Sequence, residues 1–150
     1  MSILIIQENK KARFDYSIVD TFEAGLELMG SEVKSLRDKA IQFKDSYISF
    51  RGSEAFWQNA HIAEYKASSY NNHAPERLRR LLLNRSELNR IFDAIRIEGL
   101  TCVPLKIYFK NGRAKLEIGL AKGKKLHDKR ESIKTRDEKA RLQRTMRHHR

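Results

Sequence analysis

Two alternating apolar segments around an Asn-Gly dipeptide constrain the fold of this chain more than any other feature. Apolar residues occupy every second position of 103–109 and again of 114–120. Asn111-Gly112 between them is typical of a two-residue hairpin turn, because both central residues of such a turn adopt positive φ. The pattern predicts an antiparallel hairpin with one face in the core. The opposite face would direct toward solvent or a partner the lysines Lys106, Lys110 and Lys115.

Shorter patterns in the first 120 residues predict a mainly β domain with inserted helices. Residues 14–28 alternate with one slip near Val19, which predicts a long first strand bent by an irregularity. Further strands are predicted at 46–51 and 55–61, and a polar loop at 66–76. Helical spacing predicts helices at 30–36, 77–83 and 86–98, with Ser31 and Ser86 as N-terminal caps and Gly99 as the C-terminal stop.

Five or six short strands with an inserted helix favour a small closed β-barrel of the oligonucleotide-binding type. An open α+β sheet fits the same pattern, so alternation alone leaves both architectures open. The predicted fold class is mainly β, with short peripheral helices around the barrel. We place this folded domain at residues 1–122 and a basic tail at residues 123–150.

Positive charge is concentrated in the C-terminal part of the chain. Of the overall net charge of +12, residues 121–150 carry +8, from six lysines and six arginines against four acidic residues. The few apolar residues there are too irregularly spaced to form an amphipathic stripe, so we expect the tail to be disordered when free. A nucleic acid is the natural partner of such a segment, and we expect the tail to become helical against an RNA surface. A solvated charge run is the alternative.

Several protein classes are disfavoured by what the sequence lacks. Cys102 is the single cysteine, and the sequence contains no zinc-binding spacing. No stretch reaches the ~20 apolar residues of a membrane span, and residues 1–6 lack the flanks of a signal peptide. We therefore expect a cytoplasmic monomer without metal or cofactor. Scattered acidic residues disfavour a nuclease, whereas a general RNA chaperone with the same barrel stays open as an alternative.

From Asn9 to Arg144 the chain resembles the small protein B (SmpB) family through strings of residues that follow in the order expected for that family. The strings are Asn9-Lys10-Lys11-Ala12-Arg13, Phe22-Glu23-Ala24-Gly25-Leu26, Gly30-Ser31-Glu32-Val33-Lys34-Ser35-Leu36-Arg37, Asp45-Ser46-Tyr47, Leu81-Leu82-Leu83-Asn84, Val103-Pro104-Leu105-Lys106, Lys110-Asn111-Gly112, and Gly119-Leu120-Ala121-Lys122-Gly123-Lys124-Lys125, then His127-Asp128-Lys129-Arg130.

The resemblance implies an oligonucleotide-binding-type barrel with added helices and a function without catalysis. A member of this family binds the transfer-RNA-like domain of transfer-messenger RNA, where the protein stands in for the missing anticodon arm. The complex enters stalled ribosomes together with elongation factor Tu and GTP, which it contacts through the RNA. The resemblance also implies that the tail occupies the decoding centre of the small subunit and the vacant messenger channel.

Matched to the family's motifs, Glu23, Leu82 and Asn84 stand at positions linked to RNA binding. Each has a structural alternative: an ion pair for Glu23, core packing in a helix for Leu82, and a turn for Asn84. The candidates for phosphate contacts are the basic residues just before the first predicted strand, Lys10, Lys11 and Arg13.

The tail positions that match the family's decoding-centre segment are Gly123, Lys124, Lys125, His127, Asp128, Lys129 and Arg130. His127 carries a ring in a charged run and is a candidate for stacking on a base. Asp128 is interpreted as a helix cap rather than an RNA contact. The distal tail differs from the family pattern at Leu142-Gln143, where the family often has an apolar pair.

Overall fold

The computed structural model describes residues 2–67 and 72–124. The helices and strands of this part, in chain order, are β1 (Ile3–Glu8), α1 (Lys10–Asp15), β2 (Tyr16–Leu26), α2 (Gly30–Arg37), β3 (Ile41–Gln42), β4 (Tyr47–Arg51), β5 (Glu54–Gln58), β6 (His61–Ile62), β7 (Arg79–Leu82), α3 (Arg85–Glu98), β8 (Thr101–Lys110) and β9 (Arg113–Gly123). The prediction of a mainly β chain with a few short helices is confirmed.

Seven of the strands form one antiparallel sheet in the order β1-β8-β9-β2-β7-β5-β4. The two short strands β3 and β6 pair separately. Antiparallel sheets commonly bury one face and leave the other partly open. Here the buried face packs against α2 and α3, with residues such as Leu36, Trp57, Ile91, Ile107 and Ile118 in a single core.

The predicted hairpin is present as β8 and β9, and Asn111 and Gly112 at its turn have φ of 52° and 79°. The prediction that the alternating apolar residues of β8 all lie on one face is wrong. The register shifts at Leu105, and an extra residue in a strand reverses which face later side chains point to. Leu105 therefore packs with Val103 beneath α1, whereas Ile107 lies in the main core.

The predicted irregularity in the first long strand is confirmed, because the β2–β9 register shifts between Ile18 and Asp20. The residue at the shift, Val19, is exposed. A bulge of this kind increases local twist and bends the strand. At its C-terminal end β2 pairs on its other edge with β7, where Gly25 opposes Leu82 while still pairing with Lys115 of β9.

The predicted closed barrel is not found. The edge strands are β1 and β4, and within the described residues no hydrogen-bonded pairing joins the two edges. The sheet does curl, because β4 comes close to β8 on the far side of the core. A groove of about 520 Å³ lies at this seam, lined by residues of α1, β4 and β8. The oligonucleotide-binding type of topology stays a prediction.

The helix predicted at 77–83 is wrong, since the chain forms strand β7 from Arg79 to Leu82. Burial alternates along it, with Arg79 and Leu81 inside and Arg80 and Leu82 outside. A strand with this alternation normally reads as apolar inside and polar outside. An arginine at an inward position hides that pattern, and the leucines alone imitate helical spacing.

Two capping predictions are also corrected. Helix α2 begins at Gly30 with Met29 as N-cap, and the Glu32 carboxylate accepts the backbone N–H of Met29 at 2.8 Å. Helix α3 begins at Arg85 with Asn84 as N-cap rather than Ser86. In both cases a glutamate three residues after the cap bonds back to the cap N–H, as in a capping box.

The stop predicted for α3 is confirmed, because Gly99 adopts the left-handed conformation with φ of 69°. Elements β1 and α1, by contrast, were not predicted. Strand β1 pairs with β8, and α1 covers Val103, Leu105 and Ala121 on the sheet face opposite the main core.

A buried ion pair joins α2 to β7. The side chains of Glu32 and Arg79 are fully buried, and the Arg79 Nε donates to the Glu32 carboxylate. The other Arg79 donors reach the carbonyl oxygens of Ala60 and Pro75, each at 2.9 Å. Arg77 adds a second cation, with Nε 3.1 Å from Glu32 Oε1. Buried charges are tolerated only when paired and hydrogen-bonded, and this pair meets both conditions.

Part of the predicted polar loop at 66–76 is fixed by a buried histidine. Residues 68–71 lie outside the described chain. The His73 Nε2 is 2.8 Å from the carbonyl oxygen of Ile62, which requires Nε2 to donate. The His73 Nδ1 is 2.8 Å from the Ser31 hydroxyl on α2. The segment after residue 71 is thereby held against the core.

Candidate nucleic-acid interface

Charged side chains line the sheet face opposite the main core, across β8, β9 and β2. Cross-strand pairing places Lys106 opposite Glu117 and Tyr108 opposite Lys115, and it places Glu117 opposite Glu23. We call this surface the outer face, and it comprises Glu23 and Gly25 of β2, Lys106, Tyr108 and Lys110 of β8, and Arg113, Lys115 and Glu117 of β9. The prediction that Lys106, Lys110 and Lys115 share a face away from the core is confirmed.

Glu23 lies in the middle of this face, with its side chain 37% exposed. Tyr108 donates its hydroxyl to Glu23 Oε2, and the Lys110 Nζ is 3.3 Å from Oε1. The hydrogen bond from Tyr108 is the main reason why the pKa of Glu23 is below its ordinary value, and Lys110 and Lys115 lower it further. The ion pair that was the structural alternative for Glu23 is therefore present, and the carboxylate also stays open to solvent.

Glu117 balances Glu23 on the neighbouring strand. Two carboxylates directly opposite one another destabilise a sheet unless cations compensate them. The Glu117 Oε2 lies 3.5 Å from the Lys106 Nζ and 3.8 Å from Arg13 Nη2. These contacts bring Arg13 of α1 to the end of the outer face, so that cations outnumber carboxylates on the combined surface.

The two other basic residues of α1 do not reach this cluster. Lys11 forms an exposed ion pair with Asp45 at 3.1 Å, on the side of the β4–β8 seam. Hydrogen bonding to Asp45 is the main cause of the raised pKa of Lys11. Lys10 is exposed at the first position of the helix. The three basic residues are neighbours in the sequence, but the helix directs Lys11 and Arg13 to different surfaces.

Leu82 borders the outer face rather than packing in the core. Its side chain is 49% exposed, and it lies beside Gly25 on the neighbouring strand. A Cβ at Gly25 would be 3.2 Å from the Leu82 Cβ, so glycine allows the close approach of the two strands. A groove of about 320 Å³ runs from Leu82 over Gly25 to Arg113 and Lys115.

Asn84 has a clear structural role at the start of α3. Its Oδ1 accepts the backbone N–H of Glu87 at 2.9 Å and the hydroxyl of Ser86 at 2.8 Å. Its own N–H donates to Glu87 Oε1 at 3.3 Å. The side chain is exposed, and the cap uses only its oxygen. The Nδ2 group is left available to a partner.

Two substitutions separate the cap of Asn84 from its amide group. Asn84→Asp keeps an acceptor oxygen, so the free energy of unfolding should change by less than about 0.5 kcal/mol. It removes the Nδ2 donor and adds a negative charge, so RNA affinity should fall. Asn84→Ala should lower the free energy of unfolding by about 1 kcal/mol and also weaken RNA binding. Denaturant unfolding and RNA titration measure both variants. If Asn84→Asp binds RNA as the unmodified chain does, the role of Asn84 is limited to capping α3.

Of the predicted tail positions, the structure describes two. Gly123 is the last residue of β9 and pairs with Tyr16. The Lys124 backbone N–H donates to the carbonyl oxygen of Asp15 at 2.8 Å. The predicted boundary after residue 122 thus falls just before the last residue of β9 that pairs with β2. The positions outside the described residues are Lys125, His127, Asp128, Lys129, Arg130 and Gln143.

The residue that sequence reasoning missed is Tyr108. It lies on the outer face with only 5% of its surface exposed, and the Lys106 Nζ is 5.6 Å from its ring centroid. The signal was available, because Tyr108 alternates in phase with Lys106 and Lys110. Its contact with Glu23 depends on the pairing of β8 with β9 and of β9 with β2, which sequence alone does not display.

The described residues were also compared with the features of metal sites, membrane-spanning helices and nucleophilic cysteines. Within residues 2–67 and 72–124, no three histidine, cysteine or acidic side chains cluster as metal ligands. In the same ranges, no helix has the length and apolar character needed to cross a membrane. Cys102 is buried, and burial raises the pKa of its thiol to about 12, which leaves it a poor nucleophile.

Comparison with known families gives a match over nearly the whole chain. The family model described as SmpB protein matches residues 6–148. A protein of Bdellovibrio bacteriovorus named SsrA-binding protein is 74% identical over 136 residues, which cover 91% of this chain and 90% of that protein. A protein of the same name from Allorhizobium ampelinum is 55% identical over 145 residues, which cover 94% of this chain and 92% of the relative.

A solved structure shows the same fold. It is described as "tmRNA-SmpB: a journey to the center of the bacterial ribosome" and superposes with a TM-score of 0.68 at 46% sequence identity. The superposition covers 85% of this chain and 93% of the other.

Proposed function

This chain belongs to the SmpB protein family, and from that membership we propose that it binds the tRNA-like domain of transfer-messenger RNA and delivers it to stalled ribosomes. In this proposal the protein is an adaptor without catalytic activity. The observation that carries it is the exposed Glu23 carboxylate at the centre of a cationic sheet face. Lysines and arginines bind phosphates and fix the register of the RNA, whereas a carboxylate accepts hydrogen bonds from bases and 2′-hydroxyls.

The proposed RNA-binding residues are Lys10, Lys11, Arg13, Glu23, Leu82 and Asn84. The structural support for RNA binding differs from residue to residue. Arg13 contacts the outer face through Glu117, and Leu82 offers a half-exposed apolar surface beside Gly25. Lys11 lies toward the β4–β8 seam, so it would reach RNA that extends past α1. Asn84 would donate through its amide while its oxygen caps α3.

The basic tail would bind a second RNA surface. We propose that Gly123, Lys124, Lys125, His127, Asp128, Lys129 and Arg130 act in the decoding centre of the small subunit. The segment beyond them, in which Gln143 replaces an apolar residue of the family pattern, would become helical in the empty messenger channel. Ten basic residues against four acidic ones in 125–150 favour binding to a polyanion.

The remaining points belong to the same proposal. Elongation factor Tu with GTP would join the complex through the RNA. The protein would act as a cytoplasmic monomer, without cofactor or metal. The curled sheet would be a variant of the oligonucleotide-binding topology in which the β4–β8 seam stays open. That topology is supported by the antiparallel pairing and by the approach of β4 to β8.

Recovery of RNA bound to the tagged chain in cells tests the proposed partner. We expect one dominant species with a tRNA-like fold. In vitro, the chain should bind the isolated tRNA-like domain at least tenfold more tightly than an unstructured RNA of the same length at the same salt concentration. Affinity that is indifferent to RNA structure would favour a general RNA chaperone, and cleavage with turnover would favour a nuclease.

A further inference from the structure

Tyr108 has an unusual position for a tyrosine beside an RNA-binding surface. Its ring is almost fully covered, between Ile5 of β1 and Lys115 of β9, which pair with it on either side. A covered ring cannot stack on a base, and the side chain carries no charge for a phosphate. Its hydroxyl nevertheless reaches across β9 to Glu23 on β2 and donates to the carboxylate.

We propose that Tyr108 is a positioning residue, which holds the Glu23 carboxylate so that its free acceptor sites receive N–H or O–H donors of one nucleotide of the bound RNA. The proposal rests on the function proposed above and specifies the chemistry of its central contact. The flanking phosphates would bind the lysines of the outer face. The donor is either an exocyclic amino group of a base or a ribose 2′-hydroxyl, since both donate hydrogen bonds to a carboxylate.

The number of acceptor sites on the carboxylate permits this role. A carboxylate accepts about four hydrogen bonds. Tyr108 uses one on Oε2, and the Lys110 Nζ lies 3.3 and 3.4 Å from the two oxygens. The exposed part of Glu23 therefore retains acceptor capacity. Its charge is balanced by Lys110, so a polyanion can approach without direct repulsion.

Fixing the carboxylate in advance also strengthens the contact. A free glutamate side chain loses rotamer entropy when a ligand orders it. Tyr108 is anchored by its covered ring, so its hydroxyl orders Glu23 before the RNA arrives, and less entropy is lost on binding. The lowered pKa of Glu23, caused first by this hydrogen bond, agrees with a preformed contact.

A double-mutant cycle with Tyr108→Phe and Glu23→Gln tests the coupling in the full-length chain. Tyr108→Phe removes one hydrogen bond, so affinity for the tRNA-like domain should fall about three- to tenfold. On the Glu23→Gln background, the same substitution should change affinity less than twofold. The salt dependence of binding should be unchanged by Tyr108→Phe, since no cation is lost. Equal losses on both backgrounds, or no loss on either, would overturn the proposal.

Tyr47→Phe is the matched control, because Tyr47 is an exposed tyrosine on β4, away from the outer face. Carbon-13 NMR titration of Glu23 in the free protein supplies a readout independent of RNA. Tyr108→Phe should raise the pKa of Glu23 toward its ordinary value, and Tyr47→Phe should leave it unchanged. An unaltered pKa of Glu23 in Tyr108→Phe would refute the positioning role.

Modified RNAs identify the donor. A base analogue that lacks the exocyclic amino group, such as inosine in place of guanine, removes one kind of donor, and a 2′-deoxy nucleotide removes the hydroxyl. At the contacted nucleotide, one of these changes should weaken binding of the unmodified protein several-fold and of Glu23→Gln by less than twofold. If no position behaves in this way, Glu23 does not accept from the RNA. Failure of the proposed function would instead show as equal affinity of the unmodified chain for structured and unstructured RNA.

Discussion

Glu32→Gln should lower the free energy of unfolding by roughly 3–5 kcal/mol, because it leaves the buried Arg79 guanidinium without a counter-charge. The substitution is nearly isosteric, so the loss would come from charge rather than from packing. Arg79 would keep its bonds to two carbonyl oxygens, which orient it but do not neutralise it. A small domain has only about 5–15 kcal/mol of stability in total, so the variant should be close to unfolding at 37 °C.

Glu27→Gln is the matched control for this prediction. Glu27 also pairs with an arginine, Arg80, at 3.9 Å, but both side chains are about half exposed or more. Exposed ion pairs typically contribute less than about 1 kcal/mol, so the control should unfold almost as the unmodified chain does. Denaturant unfolding followed by circular dichroism measures both variants. Equal, small losses would mean that solvent reaches the Glu32–Arg79 pair.

The effect of Glu32 should depend on pH in a defined direction. Burial alone would raise the pKa of Glu32, but hydrogen bonds from Arg77, from the Met29 backbone and from Arg79 outweigh it and lower the pKa. A carboxyl whose pKa is lower in the folded state stabilises the fold above its ordinary pKa, and this stabilisation is lost as pH falls through the folded value. The stability difference between the unmodified chain and Glu32→Gln should therefore be constant near neutrality and shrink below about pH 4.

Removal of residues 125–150 should abolish ribosome rescue while leaving the folded part and its binding to the tRNA-like domain intact. The last described contacts before this segment are the Gly123 pairing with Tyr16 and the Lys124 bond to Asp15, and the truncated chain keeps both. Its free energy of unfolding should therefore change by less than about 1 kcal/mol. The measurements are thermal unfolding, binding to the tRNA-like domain, and release of stalled ribosomes in a reconstituted translation system.

A chain with residues 125–150 in scrambled order is the control for charge. It keeps the ten basic and four acidic residues and changes only their arrangement. If net charge alone drives tail function, the scrambled chain should rescue ribosomes as well as the natural order does. We expect it to fail, because the proposed stacking by His127 and the proposed decoding-centre contacts need particular residues at particular positions. Normal rescue by the truncated chain would show that the tail has no part in the function.

Sequence patterns predicted the elements whose stability depends on local periodicity. The β8–β9 hairpin follows from Asn111-Gly112, and the bend of β2 follows from the slip in alternation near Val19. Strand β7 was missed because Arg79 occupies an inward position, which becomes acceptable only through Glu32, a residue far away in the sequence. Long-range compensation of this kind leaves no local pattern.

The candidate site shows the same division between local and long-range information. The lysines of the outer face were predicted, because alternation places them on one side of a strand. The bond from Tyr108 to Glu23 was not, since it joins β8 and β2 across the intervening β9. The resemblance to the family supplied Glu23, Leu82 and Asn84 as single positions. The fold adds that Leu82 meets Gly25 and that Asn84 also caps a helix.

The pairing of β2 with β9 sets a distance between the two RNA contacts proposed for this protein. Gly123, where the tail leaves, pairs with Tyr16, and Glu23 lies farther along the same strand. Along β9, six residues separate Gly123 from Glu117, the partner of Glu23, so at about 3.3 Å per residue the two points are roughly 20 Å apart. The paired strands would fix the separation between the proposed transfer-messenger RNA contact and the proposed small-subunit contact. Two extra residues in each strand would lengthen the paired segment by roughly 7 Å and would move Arg13 of α1 away from Glu117.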